Sequence, residues 1–335
     1  VRLGKRVSVY LLVLSLVVFV AGCGKVNETS AVSEKMKVVA TVYPVYDFVR
    51  QVGGDKVEAV MLVNPGTEPH DWEPTAKEIA QIKTAKVFFY HGAGLEPIDK
   101  LLAPEVLGSA KAVEVSKGIA LLADREGEHE HEEHEHEEHE HEHEGKENEH
   151  GHEHGHEHGH VHVDMHTWLD PVSAQQEVKT IAAALAAADP SNSDYYLANA
   201  ERFNSELAQL DQDYKSALST VARRDIITSH AAFGYLAERY DLHQLAVMGL
   251  SPDSEPTPDK MAEIIKFCRE HNVKYIFFET LVSPRVSETI AKETGAGLLV
   301  LNPIESLTAE EVKQGKNYLS IMKENLENLK KALND

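Results

Sequence analysis

Asp225-Ile226-Ile227-Thr228-Ser229-His230 is a short β-rich run that ends on a histidine and passes at once into a helix-like segment, 230–239. The β-branched residues at 226–228 suit a buried, pleated strand. A metal-capable side chain at the carboxyl end of such a strand stands where open α/β sheets present their ligands. Outward from this unit the same alternation recurs. Runs at 38–42, 57–63, 87–90, 112–115, 243–247, 275–278 and 298–301 have strand character, and helix-like segments near 46–52, 75–84, 95–102, 172–188, 258–271, 284–293 and 309–333 are interleaved with them. Such alternation predicts an α/β protein with mostly parallel sheets covered on both faces.

One segment breaks the rhythm. Across 194–222, Tyr196, Ala200, Phe203, Leu207, Leu210, Tyr214, Ala217 and Val221 step by four and three, which is helical spacing. At about 1.5 Å per residue this helix spans roughly 40 Å, enough to join two (βα)4-type lobes, 37–193 and 223–335, as one long rigid strut. Asp170-Pro171 and Thr257-Pro258 each pair a capping side chain with a first-turn proline, and Thr308 with Glu311 has capping-box spacing. The last helix is expected to run unbroken, with Val312, Gly315, Leu319, Met322, Leu326, Leu329 and Leu333 as one packed stripe.

Residues 1–22 read as an export signal, because Arg2, Lys5 and Arg6 precede an apolar run from Val7 to Val20. The run is shorter than the roughly 20 apolar residues of a comfortable membrane span. Val20-Ala21-Gly22-Cys23 matches the lipobox at which bacterial lipoproteins are cleaved and acylated, which makes Cys23 the expected lipidation site. A plain signal peptide or an inefficient anchor is the alternative. Residues 23–36 are then a polar tether that holds the folded part on the extracytoplasmic face of the cell membrane, lipid bilayer included, in the Gram-positive manner. The other thiol, Cys268, shares a helix face with Met261, Ile264 and Ile265 and is expected to be buried and inert, with no intrachain disulfide.

The formal net charge is −22, but residues 126–162 hold fifteen Glu and one Lys, which leaves −8 on the rest. The acidity is local and argues against nucleic acid as a partner. Fourteen of the 20 histidines lie in the same stretch: His129, His131, His134, His136, His139, His141, His143, His150, His152, His154, His156, His158, His160 and His162. Interleaved with Glu and Gly, and with no apolar residue before Val161, it reads as a solvated loop offering auxiliary low-affinity metal sites. Its HExxH matches beginning at His139, His152 and His156 are accidents of low complexity, since a metalloprotease needs that motif on an amphipathic helix.

The remaining histidines are placed differently. His70 sits in a loop leaving the second strand, fixed by Pro65, Gly66, Pro69 and Pro74. His166 precedes the Asp170-Pro171 helix start, and His230 ends its strand. Beyond the last strand stands Glu305, while Glu279 follows Phe277-Phe278 and competes for the same role; spacing does not decide between the two acids. His70 and His166 come from one lobe, and His230 and either acid from the other, which is the arrangement of a metal site buried in the inter-lobe cleft. Three neutral imidazoles and a carboxylate suit Zn²⁺ at about 2.0–2.2 Å per bond, whereas a set richer in oxygen leans to Mn²⁺. Asp71, Asp164 and Asp170 are available to hold the second ring nitrogens. His91, after the third strand, is read as lining the site or supporting a ligand, and His243 and His271 as surface or packing residues.

Taken together, Pro65-Gly66-x-x-Pro69-His70-x-x-x-Pro74, His166-x-Trp168-Leu169-Asp170-Pro171 and Ser229-His230-x-x-Phe233-x-Tyr235 resemble the cluster A-I solute-binding lipoproteins of metal ABC importers, from Lys37 onward. The zinc-binding branch of that class also carries a His- and acid-rich loop in this place. The resemblance implies two α/β lobes bridged by a rigid helix, a monomeric receptor without turnover chemistry, and a membrane permease as the partner that takes the metal. By motif it makes His70, His166 and His230 ligands. Histidine at 230, where the manganese branch has Glu, points to Zn²⁺ with Mn²⁺ as runner-up. The family's acidic ligand lies in the loop after the last strand, which favours Glu305 over Glu279. The segment 301–307 is similar to that of Gram-positive zinc members, whereas the double-cysteine bridge of some members is absent. Two other readings stand beside this one. A zinc hydrolase would need a coordination position left for water. A surface adhesin or zinc buffer is the third, since relatives of the class have been described as adhesins.

Overall fold

A computed structural model of the chain describes residues 35–123, 163–252 and 255–335. The export signal, Cys23, most of the tether and the whole His/Glu-rich stretch 126–162 lie outside the described residues.

Among the described residues, eight strands form two sheets of four. The first contains β1 (Met36–Ala40), β2 (Val57–Met61), β3 (Val87–Tyr90) and β4 (Lys111–Glu114) in the order β2-β1-β3-β4, every pair parallel. The second contains β5 (Asp225–Thr228), β6 (His243–Ala246), β7 (Tyr275–Phe278) and β8 (Gly297–Val300) in the order β6-β5-β7-β8, again all parallel. The same permutation appears twice, so the two sheets are topological repeats. In each, the chain leaves its first strand to one side and returns on the other. The crevice at that reversal, outside the carboxyl ends of the strands, is where such sheets bind ligands.

The helices α1 (Tyr43–Gly53), α2 (Ala76–Lys83), α5 (Pro171–Ala188), α6 (Ser193–Leu218), α7 (Gly234–Tyr240), α8 (Pro258–Glu270) and α9 (Arg285–Thr294) fall within a few residues of the expected segments. Their caps follow the local chemistry. Thr75 and Glu78 form a capping box on α2, and Asp170 accepts from the main-chain N–H groups of Val172 and Ser173 on α5. Two expected helices break instead. The segment 95–102 shortens to α3 (Ile98–Leu101) after Pro97, and a separate turn of helix, α4 (Pro104–Leu107), follows it from Pro104, because proline lacks the N–H needed to continue a helix. The segment 309–333 divides into α10 (Ala309–Lys313) and α11 (Tyr318–Asn334). Gly315, at φ 69°, turns the chain between them, and Asn317 recaps the second piece with Ser320. Val312 is consequently exposed, and the packed stripe is carried by Tyr318, Met322, Leu326, Leu329 and Leu333.

The strut α6 is 26 residues long and buries Tyr196, Ala200, Phe203, Leu207, Leu210, Tyr214 and Leu218. It ends at Leu218, three residues before Val221, where the sequence pattern placed its last apolar step. Its apolar face packs on α1, α5 and α11. The result is one continuous core that includes Phe88 and Trp168 on one side and Ile226, Phe277 and Tyr318 on the other. Polar contacts stitch the same junction. Tyr214 Oη donates to the Met322 carbonyl at 2.6 Å, and Arg239 grips Asp170 with two nitrogens at 2.9 and 2.6 Å. A smaller core, Ile227, Ile264, Ile276, Ile290 and Cys268, fills the other face of the second sheet. Burial pushes the Cys268 thiol up to about 11, which leaves it protonated and inert.

The loop after β8 is fastened from α11. Buried Asn325 accepts from the Asn302 N–H at 2.9 Å and donates to the Asn302 carbonyl at 2.7 Å. An apolar replacement strands both main-chain groups, at about 1–3 kcal/mol each. Asn325→Leu is therefore expected to lower unfolding free energy by about 2–4 kcal/mol in chemical denaturation; a change within about 0.5 kcal/mol would mean that the loop does not depend on this anchor.

Candidate metal centre

Three of the four sequence-selected side chains follow the carboxyl end of a strand; the fourth, His166, comes from the turn before α5, so the expectation that it too ends a strand is not met. His70 rides the loop between β2 and α2, which turns at Gly66 (φ 84°) and closes with Thr67 N–H to Asn64 carbonyl at 3.1 Å and Trp72 N–H to Pro69 carbonyl at 3.1 Å. His166 opens a single 3₁₀ turn before α5, above Trp168, whose indole N–H donates to the Pro303 carbonyl at 2.8 Å. His230 directly follows β5 and Ser229. Glu305 follows β8 in the Asn302-Pro303-Ile304 turn.

That last turn is strained. Ile304 is buried and β-branched yet sits at φ 62°, a region such residues avoid. It is held there because Asn302 Oδ1 accepts from the Ile304 N–H at 2.8 Å, while Asn302 Nδ2 is fixed by Glu311 at 3.0 Å and Thr280 at 3.2 Å. The neighbouring Glu305 carboxylate is thereby aimed into the cleft.

The four converge. Glu305 Oε1 lies 2.9 Å from His166 Nε2, 3.0 Å from His70 Nε2 and 3.3 Å from His230 Nε2, and one donor atom from each of the four falls within 4.8 Å of the others. The imidazoles of His166 and His230 are fully buried, and the His70 side chain is only 3% exposed. A tetrahedral ion with bonds of about 2.0–2.1 Å sets its donors about 3.3–3.4 Å apart. The carboxylate–imidazole distances are thus close to those of a four-coordinate site, and the four donors together fall within 4.8 Å of one another.

The far sides of two rings are held by further carboxylates. Asp164 Oδ1 accepts from both the main-chain N–H and Nδ1 of His166, each at 2.8 Å. Gly234 makes room for this acid, since a Cβ there would stand 2.5 Å from Asp164 Oδ2. Glu279 Oε1 accepts from the His230 N–H at 3.1 Å, and its Oε2 lies 2.7 Å from His230 Nδ1. Glu279 thus sits behind His230, not among the converging atoms. Both His230 ring nitrogens lie near carboxylates but off the line of a hydrogen bond, so buried Nε2 has no hydrogen-bonding partner. An orphaned buried nitrogen facing a carboxylate oxygen is a fit for a cation.

Electrostatics follow from this crowding. Burial pushes the His166 imidazolium down, but hydrogen bonds to Asp164 and Glu305 carry it the other way, to about 9. His230 rises well above its ordinary value, against burial, chiefly through the negative charges of Glu279 and then Glu305. Glu305 is held well below the usual carboxylate range, against burial, by His230, His166 and His70. Glu68, two residues before His70, is raised to about 8 by burial and then by the Glu305 charge. The sequence reading passed over Glu68, whose one signal was its place in the Pro-fixed loop. His91 does not join the cluster. Its Nε2 contacts the Met165 carbonyl at 2.7 Å, its ring meets Trp168 edge-on, and burial lowers it to about 3. Asp170 caps α5.

Comparison with known proteins agrees with this geometry. Residues 38–332 match the family described as zinc-uptake complex component A, periplasmic. The chain is 39% identical over 333 residues to the high-affinity zinc uptake system protein ZnuA of Bacillus subtilis (strain 168), covering 98% of each. It is 36% identical over 332 residues to the zinc-binding lipoprotein AdcA of Streptococcus pneumoniae (R6), covering 98% of this chain but 61% of that longer protein. The Zn(II)-bound ZnuA-like domain of Streptococcus pneumoniae AdcA superposes with a TM-score of 0.71 at 34% identity, covering 90% of this chain and 100% of the domain. The laminin binding protein Lmb of Streptococcus agalactiae, described as bifunctional with adhesin and metal transporting activity, superposes with a TM-score of 0.73 at 32% identity, covering 89% of this chain and 99% of Lmb. With a match across nearly all of the folded part, the chain belongs to the zinc-uptake component A family.

Proposed function

We propose that this protein is an extracytoplasmic zinc receptor that holds one ion between His70, His166, His230 and Glu305 and delivers it to the permease of an ABC-type importer. One observation carries the reading: a single buried carboxylate oxygen, Glu305 Oε1, stands 2.9, 3.0 and 3.3 Å from three imidazole nitrogens. Three nitrogen donors and one oxygen suit zinc better than manganese, which prefers sites richer in oxygen. Asp164 and Glu279 serve as the acceptors that orient His166 and His230 and fix which ring nitrogen faces the ion. Four protein donors with side chains no more than 3% exposed leave neither an open position for water nor space for a substrate. The chemistry is therefore binding and release, without turnover.

Release needs an opening, and the site is unevenly fastened. His166 and His230 are tied through Asp164 and Glu279 to their own main chain, whereas His70 rides a loop whose residues Asn64, Pro65 and Gly66 are exposed. That loop is the part that yields while the shared core keeps the lobes in place. Lipidation at Cys23, a tether at 23–36, a monomeric state and weak metal capture by the 126–162 stretch complete the reading. They are supported by the lipobox, by the composition and by a relative named as a lipoprotein.

The two acids are expected to separate by role. Glu279→Gln should weaken zinc binding by roughly 10–100-fold, the usual cost of losing a group that orients a ligand. Glu305→Ala should weaken it further, because it removes a donor; competition titration against a chromophoric chelator checks the order, and the reverse ranking would make Glu279 the ligand. Metal binding also requires neutral imidazoles, so zinc must displace protons. His166 holds its proton up to about 9 against an ordinary 6.5, so apparent affinity should rise with pH between those values, by about tenfold per pH unit for each proton displaced. Calorimetry in buffers of different protonation enthalpy counts those protons, and an affinity independent of pH would contradict the protonated empty site. The sign for stability without metal is opposite. The His166 contribution is fully present below 6.5 and lost as pH rises through about 9.

A further inference from the structure

The second sheet carries another meeting of imidazoles and a carboxylate, at the edge opposite the metal centre. Asp225 opens β5, His243 opens β6 beside it in register, and His271 stands at the carboxyl end of α8. His243 Nδ1 lies 3.2 Å from Asp225 Oδ1, and His271 Nδ1 lies 3.3 Å from Asp225 Oδ2. Each ring therefore addresses its own oxygen of one carboxylate. The arrangement is supported from several sides. The His271 ring is stacked on Phe267 with centroids 3.8 Å apart and an interplanar angle of 16°. Parallel pairing of β5 with β6 fixes Asp225 next to His243. Two cations on the flanking segments are engaged elsewhere: Arg224 donates to the carbonyls of Tyr240 and Asp241 at 3.1 and 3.3 Å, and Lys274 to Asn272 Oδ1 at 3.0 Å. The 13-residue α8 also points the negative end of its dipole at this place.

We propose that Asp225, His243 and His271 form a second, solvent-accessible site for a divalent transition-metal ion, zinc foremost, separate from the buried centre. Two imidazoles and a carboxylate are a donor set that zinc, copper and nickel ions share. Each ring now shares a hydrogen bond with its own oxygen, at 3.2 and 3.3 Å, so the three residues are neighbours but do not yet present one donor atom apiece to a common point as the buried centre does. Because the two nitrogens stand on different oxygens, the ion must draw a ring inward, and the His243 side chain, 69% exposed, is free to swing. Water fills the remaining positions, so this site binds more weakly than the buried one. Asp225 opens β5 and His230 lies beyond its carboxyl end, so the two sites stand at opposite ends of the strand and share no ligand. Occupancy pins the starts of β5 and β6 to the end of α8.

Carbethoxylation of individual histidines, followed by peptide mass mapping in the full chain, tests the proposal as zinc is raised past saturation of the buried centre. His243 and His271 should be protected together, by about tenfold once free zinc reaches about nine times the dissociation constant. Asp225→Asn should abolish protection at both while His166 and His230 stay unreactive, which reports an intact fold. The readout is residue by residue, so it stands apart from the fate of the buried centre. Equal modification rates at His243 and His271 with and without zinc would overturn the proposal. So would full protection in Asp225→Asn.

Discussion

Three imidazoles packed into one buried volume repel one another as soon as two are protonated, and they leave lone pairs unspent when they are not. Glu305 resolves both problems with a single oxygen. Without metal, its negative charge is shared among His70, His166 and His230, whose nitrogens stand 3.0, 2.9 and 3.3 Å away. The shared carboxylate thus gathers the three imidazoles around one point before any ion arrives, which lowers the cost of assembling the site. The surrounding structure is arranged to keep that oxygen in place. Ile304 accepts a left-handed backbone conformation, a cost of about 1–3 kcal/mol, and Asn302, Asn325 and Trp168 hold the turn that imposes it.

The rest of the molecule makes convergence possible by repetition. Two sheets with the same strand order present their carboxyl edges to a common cleft, and each contributes two donors. Because α1, α5, α6 and α11 merge into a core shared by both sheets, the lobes are braced instead of hinged. A receptor built this way must trade metal through its loops. On the proposed ligand set, the unequal fastening of the four side chains supplies that freedom, since His70 rides an exposed turn while His166 and His230 are tied to buried acids.

Much of this was legible in the sequence. The eight strands appear within a residue or two of their expected positions, because β-branched runs alternating with helical spacing leave few other readings. Of the four converging residues, His230 ends its strand and Glu305 follows one closely, positions that sequence can locate, whereas His166 caps a 3₁₀ turn far beyond β4 and was legible from the Asp170-Pro171 helix start that it precedes. The roles of the two acids were not. Glu279 and Glu305 both follow strands, and only the resemblance separated them. In space they differ by which face of His230 they meet. The split of the last helix was missed because the apolar spacing runs straight through Gly315. Ile304 was invisible for the opposite reason, since its β-branched side chain argues against the conformation that it adopts. His243 and His271 were set aside as surface or packing residues. Their shared partner Asp225 is 18 and 46 residues away in sequence, beyond the reach of any local pattern.

The most direct test is a crystal structure of the zinc-loaded protein with anomalous data collected on both sides of the zinc absorption edge. The account predicts a strong edge-dependent peak about 2.0–2.2 Å from the Nε2 atoms of His70, His166 and His230 and from a Glu305 oxygen, with Glu279 still behind His230. A fully occupied ion held by Glu279 in place of Glu305, or a principal peak away from these imidazoles, would contradict it.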